Sequence, residues 1–436
     1  AHGSSLASSI QADRVIDATG KYVIPGGIDG HTHMEMPFGG TFASDTFETG
    51  TRAAAWGGTT TIVDFVVQTR GQRVQDQVAL WHHKAAGNCA IDYAFHQIIG
   101  DVTAESLKAM DEPIGEGITS FKLFMAYPGV FLSSDGQILQ AMQTAAGNGG
   151  LIMMHAENGS AIDVLVQQAL ARHETEPYYH GTTRPWQMEQ EATHRAVMLA
   201  DLTGAPLYVV HVSAKQALAR IAEARNAGQN VFGETCPQYL YLSLEEQLGA
   251  QGKEWGGFEG AKWVCSPPLR SRADGHQDEL WKYIRTGDVT TVSTDHCPFC
   301  MKDQKQMGSG DFSRIPNGIG SVEQSAVVIG GLHGPELHHC FCAYCMTWMF
   351  TRLSFAPHLV NVRATMGSLP LGIQQLIELG RVLYVGAEII ILDEPTSALS
   401  PPEIERLFEI LRRLRETGKS IIFISHFIDD VLAVCD

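Results

Sequence analysis

The feature that most constrains the fold of this chain is a repeated alternation of short β-branched runs and Ala-rich helical patterns between about residues 20 and 300. Alternating strands and helices predict a parallel sheet, because parallel neighbours need a crossover connection between them. Eight repeats favour a closed barrel over an open sheet. The predicted strands are Tyr22–His33, Thr59–Phe65, Ala90–Gln97, Ser120–Tyr127, Gly150–Glu157, Pro206–Ser213, Asn230–Gln238 and Val289–His296.

Helical patterns between these strands complete a predicted α/β fold, a (β/α)8 barrel of the TIM type. Apolar runs such as LIMM at 151–154 and LYVV at 207–210 are typical of strands that are buried on both faces, as in a barrel wall. Helices are predicted at Gln75–Ala86, Gly159–Arg172, Gln187–Leu202, Ala214–Ala227 and His276–Arg285.

Composition excludes several classes of protein. Apolar residues make up 44% of the 436 residues, which is enough for a large core and excludes global disorder. The net charge of −17 opposes the phosphate backbone, so we expect no nucleic-acid partner. No apolar stretch reaches the roughly 20 residues of a membrane span, and the first residues do not resemble a signal peptide. Nine cysteines in a chain of this length do not indicate a disulfide scaffold, so we expect a cytoplasmic protein.

Polar side chains stand at the ends of the predicted strands. In a barrel the C-terminal ends of the strands converge on one mouth, where the chemistry of such proteins occurs. Two histidines at i and i+2 of a strand share a face, so they can reach the same metal ion. The sequence therefore predicts a metal centre formed by His31, His33, Lys122, His155, His211 and Asp295.

The alternative for each of these residues taken alone is a structural role. A single histidine at a strand end is more often structural than a ligand, and a buried lysine is costly because an unpaired ammonium loses its solvation. Six such residues at five strand ends of one barrel are difficult to explain as core packing. Together they favour the metal centre.

Longer motifs make this prediction more specific. The chain contains, in this order, VIDATGKYVIPGGIDGHTHMEMPFGG, FKLFMAY, MMHAENG, VVHVS, GETCPQYL, SPPLR, STDHCPF and IPNGIG. Through these segments, residues from about 15 to 324 closely resemble the dihydropyrimidinase/hydantoinase family of the amidohydrolase superfamily. The resemblance implies an enzyme that opens the ring of a small cyclic ureide, dihydrouracil or hydantoin, at an amide bond.

The resemblance also implies two zinc ions. His31, His33 and Asp295 would hold one ion, and His155 and His211 would hold the second. Two metals ~3.5–4 Å apart lower the pKa of a bridging water and yield hydroxide at neutral pH.

The same resemblance assigns roles around the metals. Lys122, carboxylated on its side-chain nitrogen by CO2, would bridge the two ions, which resolves the difficulty of a buried ammonium. Asp295 would act as general base and then as general acid, and Tyr127 would stabilise the oxyanion. The main chain at Ser266 and Asn317 would bind the ureide. Without the motifs, loop packing would be the favoured explanation for Tyr127, Ser266 and Asn317.

Two further groups of residues have the spacing that is typical of metal-binding or redox-active sites. Cys297 and Cys300 form a C-x-x-C pair directly after the Asp295 motif, and a redox role is the less favoured interpretation. A second cluster contains His338, His339, Cys340, Cys342 and Cys345. We interpret this cluster mainly as part of an irregular junction, and zinc binding is the alternative.

The last part of the chain changes character. A strand in AEIIILDEP, a helix capped by Ser400 and a second strand in KSIIFISH predict a β-α-β fragment. Residues 366–436 resemble the ATP-binding subunit of sugar-type ABC transporters, with Asp393 and Glu394 in a Walker B motif and His426 as the switch histidine. Leu369 to Gln375 resembles a degraded signature motif.

These observations divide the chain into four parts. We expect a remnant of a small β-domain at 1–20, the barrel at 21–331, an irregular junction at 332–365 and the ABC fragment at 366–436. The arrangement resembles two unrelated fragments joined through a segment that resembles neither. An error in sequencing or in sequence assembly, a frameshift and a real gene fusion would all produce such a chain. The family forms homo-oligomers, but its C-terminal assembly segment is missing here. The alternative functions are a catalytically inactive relative and an ABC ATPase.

We expect no measurable ATP binding and no ATP hydrolysis. A Walker B motif needs a phosphate-binding loop beside it, and the sequence contains no G-x-x-x-x-G-K-[ST]. Calorimetric titration with ATP and Mg²⁺ checks this prediction, and magnesium-dependent binding would contradict it.

Overall fold

The computed structural model of the chain describes residues 25–249 and 257–324. Further along the chain it describes two strands and scattered residues between 395 and 434. The predicted β-domain remnant at 1–20, the junction at 332–365 and the signature-like segment therefore lie outside the described residues, as do Glu394 and His426.

Eight parallel strands form one sheet, and each strand pairs with the next strand in the sequence. This order is the one that a (β/α)8 barrel requires, so the predicted fold class is confirmed. The strands are β1 Gly27–Thr32, β2 Thr59–Gln68, β3 Asp92–Ile99, β4 Ser120–Phe124, β5 Leu151–His155, β6 Leu207–Val209, β7 Val231–Thr235 and β8 Thr291–Val292.

The barrel closes between its first and last strands. Thr32 at the end of β1 forms a parallel bridge with His296, four residues after the end of β8. The His33 N–H donates to the His296 carbonyl at 2.8 Å. Asp29 reinforces the closure from inside, because its buried carboxylate accepts bonds from the Thr294 N–H at 3.1 Å and the His31 N–H at 3.2 Å.

Helices connect the strands and cover the barrel. The principal ones follow the predicted pattern, and they pack apolar faces such as Ile138, Met142 and Ala145 against the strands. The α-helices are α1 Phe47–Trp56, α2 Val74–Ala85, α3 Ala104–Ala109, α4 Asp111–Gly115, α5 Asp135–Asn148, α6 Gly159–Ala171, α7 Tyr178–Thr182, α8 Trp186–Thr203, α9 Lys215–Asn226, α10 Pro237–Tyr241, α11 Leu244–Gln247 and α12 His276–Thr286.

Shorter elements lie in the loops. A two-residue hairpin pairs Pro37–Phe38 with Thr41–Phe42. The 3-10 helices are Gly257–Trp263, Lys305–Gly308, Phe312–Arg314 and Val322–Gln324. No helix among the described residues combines the length and the hydropathy needed to cross a bilayer.

Several strands are shorter than predicted at their C-terminal ends. The interpretation of Asn230–Gln238 as one strand is wrong, because β7 ends at Thr235 and α10 begins at Pro237. Proline has no N–H for a sheet ladder, and its fixed φ suits the first turn of a helix. The predicted strand Pro206–Ser213 likewise reduces to Leu207–Val209, since His211 adopts a φ of 42° that no strand accommodates.

The C-terminal strands are present as predicted. Ile389–Asp393 (β9) and Ser420–Ile424 (β10) pair in parallel in a two-stranded sheet of their own. Three helical residues between them, Leu407, Phe408 and Leu411, form a small buried cluster. This cluster is separate from the core of the barrel.

We expect Asp29→Ala to destabilise the barrel by about 3 kcal/mol, because it leaves the buried donors of Thr294 and His31 without partners. Denaturant unfolding followed by circular dichroism measures the change. Asp201→Ala, which removes an exposed carboxylate on α8, is the control and should change stability little. An Asp29→Ala midpoint equal to that of the control would contradict the role of Asp29 in closing the barrel.

Candidate metal centre

Three side chains meet where the first and last strands close the barrel. His31 occupies the end of β1 and His33 follows two residues later, so their side chains share a face. The Nε2 atoms of the two histidines lie 3.2 Å apart, and each lies 3.2 Å from Oδ1 of Asp295. Within the described residues, His31, His33 and Asp295 thus form a group whose ligand atoms lie close enough together to hold one metal ion.

A second pair of histidines lies beside this cluster. His155 ends β5, and its Nδ1 lies 3.0 Å from Nε2 of His211, which follows β6. The rings of His31 and His211 have their centroids 5.5 Å apart, so the two groups form one continuous cluster of ring nitrogens. The strand ends therefore bring the predicted ligands together.

Lys122 lies in the middle of β4 with both of its neighbours buried. Its Nζ is 2.9 Å from Nε2 of His31 and 4.4 Å from the centroid of the Phe65 ring. Burial lowers the pKa of Lys122 to about 8, although the carboxylates of Asp295 and Glu234 oppose the shift. A larger fraction of the amine is therefore neutral near pH 7 than for an exposed lysine.

Two buried glutamates contact His31 and His155 on the ring nitrogen that faces away from the cluster. Glu234 Oε1 lies 2.7 Å from Nδ1 of His31, and Glu157 Oε2 lies 2.9 Å from Nε2 of His155. In each case the nitrogen that faces the cluster is the other one, the arrangement by which proteins orient a metal-binding imidazole. The donor set thus fits divalent metal ions with nitrogen and oxygen ligands.

Glu157 and Glu234 are not among the site residues predicted from the sequence. Both stand in quoted motifs, Glu157 two residues after His155 in MMHAENG and Glu234 in GETCPQYL. Their position at strand ends is the same signal that identified the histidines, and it could have identified them too.

Burial favours the neutral form of three of these imidazoles, those of His31, His33 and His211. Burial, reinforced by the charge of Lys122, lowers the pKa of His31 well below its ordinary value, and burial also lowers the pKa of His33. Burial beside His155 lowers the pKa of His211 in the same way. Neutral imidazoles are the metal-binding form.

Asp295 is the anion of the cluster. Burial alone would raise its pKa, but the neighbouring His31, His33 and Lys122 outweigh burial and hold the pKa at about 2. The carboxylate is therefore ionised at neutral pH and available as a metal ligand or as a proton acceptor.

A cavity opens above the cluster, and Tyr127, Ser266 and Asn317 line it together with His33, Lys122, His155, His211 and Asp295. Asn317 Nδ2 donates to Ser266 Oγ at 3.2 Å, so the two loops meet at one side of the cavity. Burial raises the pKa of Tyr127 above its ordinary value, which keeps the phenol as a hydrogen-bond donor. The predicted site residues thus line one space, except His31, which does not line it but lies against His33, Lys122 and Asp295.

Backbone strain is concentrated around this cavity. Tyr127, His211 and Asp295 are non-glycine residues with φ of 63°, 42° and 51°. Such conformations cost free energy and persist where the surrounding structure imposes them. Gly318 also lines the cavity, with φ of 153° and a position where a Cβ would lie 2.1 Å from the Cys297 carbonyl.

The C-x-x-C pair does not act as a unit in this structure. Cys297 is buried and lines the cavity, whereas Cys300 is exposed, and both are free thiols. Burial raises the pKa of Cys297, which disfavours the thiolate needed for metal binding or redox exchange. The His338–Cys345 cluster lies outside the described residues.

Comparison with known proteins agrees with this geometry. Residues 22–250 match the model of the amidohydrolase family. The chain is 64% identical over 323 residues to a D-hydantoinase of Streptomyces coelicolor, covering 74% of this chain and 68% of the relative. It is 50% identical over 316 residues to a D-hydantoinase of Geobacillus stearothermophilus, covering 72% of this chain and 65% of the relative. The chain thus spans about two thirds of the length of these relatives.

The fold is also that of solved structures. The dihydropyrimidinase from Brevibacillus agri NCHU1002 superimposes with a TM-score of 0.71 at 46% identity, covering 76% of this chain and 72% of the other. Sequence, fold and clustered ligands lead to one conclusion: the chain belongs to the amidohydrolase family and, within it, to the hydantoinase group.

Proposed function

We propose that this protein hydrolyses the cyclic amide bond of hydantoins or dihydropyrimidines. The observation that carries the proposal is the clustering of four histidines and the Asp295 carboxylate beneath a cavity, with Glu234 orienting His31 and Glu157 orienting His155. Relatives named D-hydantoinase and dihydropyrimidinase share the fold and most of the barrel sequence.

The residues that would hold metals divide into two groups. His31, His33 and Asp295 would hold one zinc ion, since their ligand atoms already cluster. His155 and His211 would hold the second ion, since their ring nitrogens face each other. When bound, the two metals would lower the pKa of a shared water and polarise the substrate carbonyl.

Asp295 would transfer a proton from the attacking water to the leaving nitrogen. As a carboxylate it accepts a proton from the attacking water while the new C–O bond forms at the ring carbonyl. It returns that proton to the ring nitrogen as the C–N bond breaks. The product carries a ureido group and a carboxylic acid, which releases its proton to solvent and becomes a carboxylate. Asp295 needs to be ionised at the start, and its low pKa supports this role.

Tyr127, Ser266 and Asn317 would bind the substrate. The Tyr127 phenol stays protonated and can donate to the carbonyl oxygen as negative charge develops there. The main chain at Ser266 and Asn317 offers N–H and C=O groups at one side of the cavity, which complement the alternating donors and acceptors of a cyclic ureide.

Lys122 would carry a carboxyl group on Nζ. The ammonium first loses one proton to give the neutral amine. This amine attacks CO2, an N–C bond forms and a second proton is released, so a cation becomes an anion with two oxygens. A free ammonium beside His31 would repel divalent cations, whereas a carbamate would attract them. The burial that lowers the pKa of Lys122 to about 8 supplies the neutral amine.

The alternative functions have less support. An inactive relative would be expected to have lost metal ligands, whereas all six predicted residues surround this cavity or lie directly beneath it. An origin of residues 366–436 in an ABC transporter subunit is a further proposal, supported by the parallel pairing of β9 with β10.

We expect the purified protein to contain close to two zinc ions per chain and to open hydantoin or dihydrouracil rings. Asp295→Ala should lower turnover by about 10²–10⁴-fold, because it removes the proton acceptor together with a ligand. Metal analysis and the ultraviolet absorbance of the ring measure both effects. Asp201→Ala, on the exposed face of α8, is the control. Near-full activity of Asp295→Ala would refute its role.

We expect native mass spectrometry to find one CO2 added at Lys122, and acid to remove it. Lys122→Ala should lose metal and activity together, and added acetate or propionate should restore part of both by replacing the carbamate. Lys282→Ala, which changes an exposed lysine on α12, is the control. If Lys122→Ala keeps both metals and normal turnover without such rescue, the bridging carbamate is wrong.

A further inference from the structure

A second lysine is buried in the barrel, and the proposed chemistry does not use it. Lys305 begins a 3-10 helix after the C-x-x-C pair and is completely inaccessible to solvent. Its ammonium donates to three main-chain carbonyls, those of Val264 at 3.0 Å, Pro316 at 2.6 Å and Gly318 at 2.9 Å. An ammonium has three N–H donors, so this arrangement uses all of them.

The three carbonyls belong to the two loops that line one side of the cavity. Val264 precedes Ser266 by two residues, and Pro316 and Gly318 are the chain neighbours of Asn317. The loops also contact each other, since the Gly318 N–H donates to the Val264 carbonyl at 2.9 Å. Lys305 therefore joins the main chain on either side of Asn317 to the main chain before Ser266.

Lys305 contacts these loops on the side that faces away from the cavity. Ser266, Asn317 and Gly318 line the cavity, whereas Lys305 does not. The Phe299 ring lies 5.6 Å from its Nζ on the buried side. Lys305 is not one of the residues that line the cavity, but it fixes the spacing of two loops whose residues Ser266, Asn317 and Gly318 do line it.

We propose that Lys305 is a positioning residue for substrate binding. Its ammonium holds the Ser266 and Asn317 loops at the separation at which their main-chain groups reach both sides of a cyclic ureide. This inference rests on the proposed function, because it assigns those loops to the ureide. It predicts a defect in substrate binding that is independent of the metals, since Lys305 is not one of the metal-site side chains.

Lys305→Met tests the proposal, because it keeps the aliphatic stem and removes the three donors. We expect kcat/KM for a hydantoin or dihydrouracil to fall by about 10–100-fold, mainly through KM, because small displacements of positioning groups have effects of this size. Zinc content and the carboxylation of Lys122 should equal those of the wild type. Lys302→Met, in the same segment but exposed, should behave as the wild type.

Hydrogen exchange of the native protein gives a readout that does not need activity. Lys305→Met should speed the exchange of the amides at 264–270 and 315–319 and leave that of the β1 and β5 segments unchanged. If Lys305→Met is not soluble, the same measurements are made on Lys305→Gln, which keeps two donors.

The outcomes separate the two proposals. A wild-type protein that binds zinc but opens no cyclic ureide would refute the proposed function, and the exchange data would then decide alone whether Lys305 fixes the loops. A variant with wild-type KM and a lower unfolding midpoint would show a role in stability only and would overturn the inference. A loss of zinc together with the rise in KM would also overturn it.

Discussion

The metal centre depends on one buried carboxylate that joins its two halves. Glu234 Oε1 accepts from Nδ1 of His31 and from the main-chain N–H of His211, while Oε2 accepts from the Tyr208 hydroxyl. The first contact orients His31, a predicted ligand of one metal ion, and the second holds the strained backbone of His211, a predicted ligand of the other. Because the group has no access to solvent, each of these hydrogen bonds replaces a water that burial removed.

The parts of this centre that follow from strand periodicity could be predicted from the sequence. His31 and His33 share a face because the side chains of a strand alternate, and His155, His211 and Asp295 meet because parallel strands end at the same mouth. These rules need only the position of a residue within its own strand. They therefore place the ligands without information on which residues touch.

The parts that were not predicted depend on contacts between distant segments. Glu234 and its partner His31 are 203 residues apart, and no local pattern connects them. Lys305 stands in the polar segment MKDQKQM, which would be read as a solvated loop, yet it is fully buried by loops that come from elsewhere in the chain. The predicted strands corresponding to β6 and β7 extend beyond the observed C-terminal ends for a related reason. The sequence pattern of a strand continues for a few residues after the backbone has left the sheet.

Gly318 limits how this cavity can diverge. A Cβ at this position would lie 2.1 Å from the Cys297 carbonyl, well inside van der Waals contact, and the φ of 153° is open only to glycine. The path of the main chain beside Asn317 is therefore fixed for any sequence that keeps this backbone. Changes in substrate range within a lineage must then arise from other side chains that line the cavity, such as Phe38, while the path of the main chain beside Asn317 stays the same.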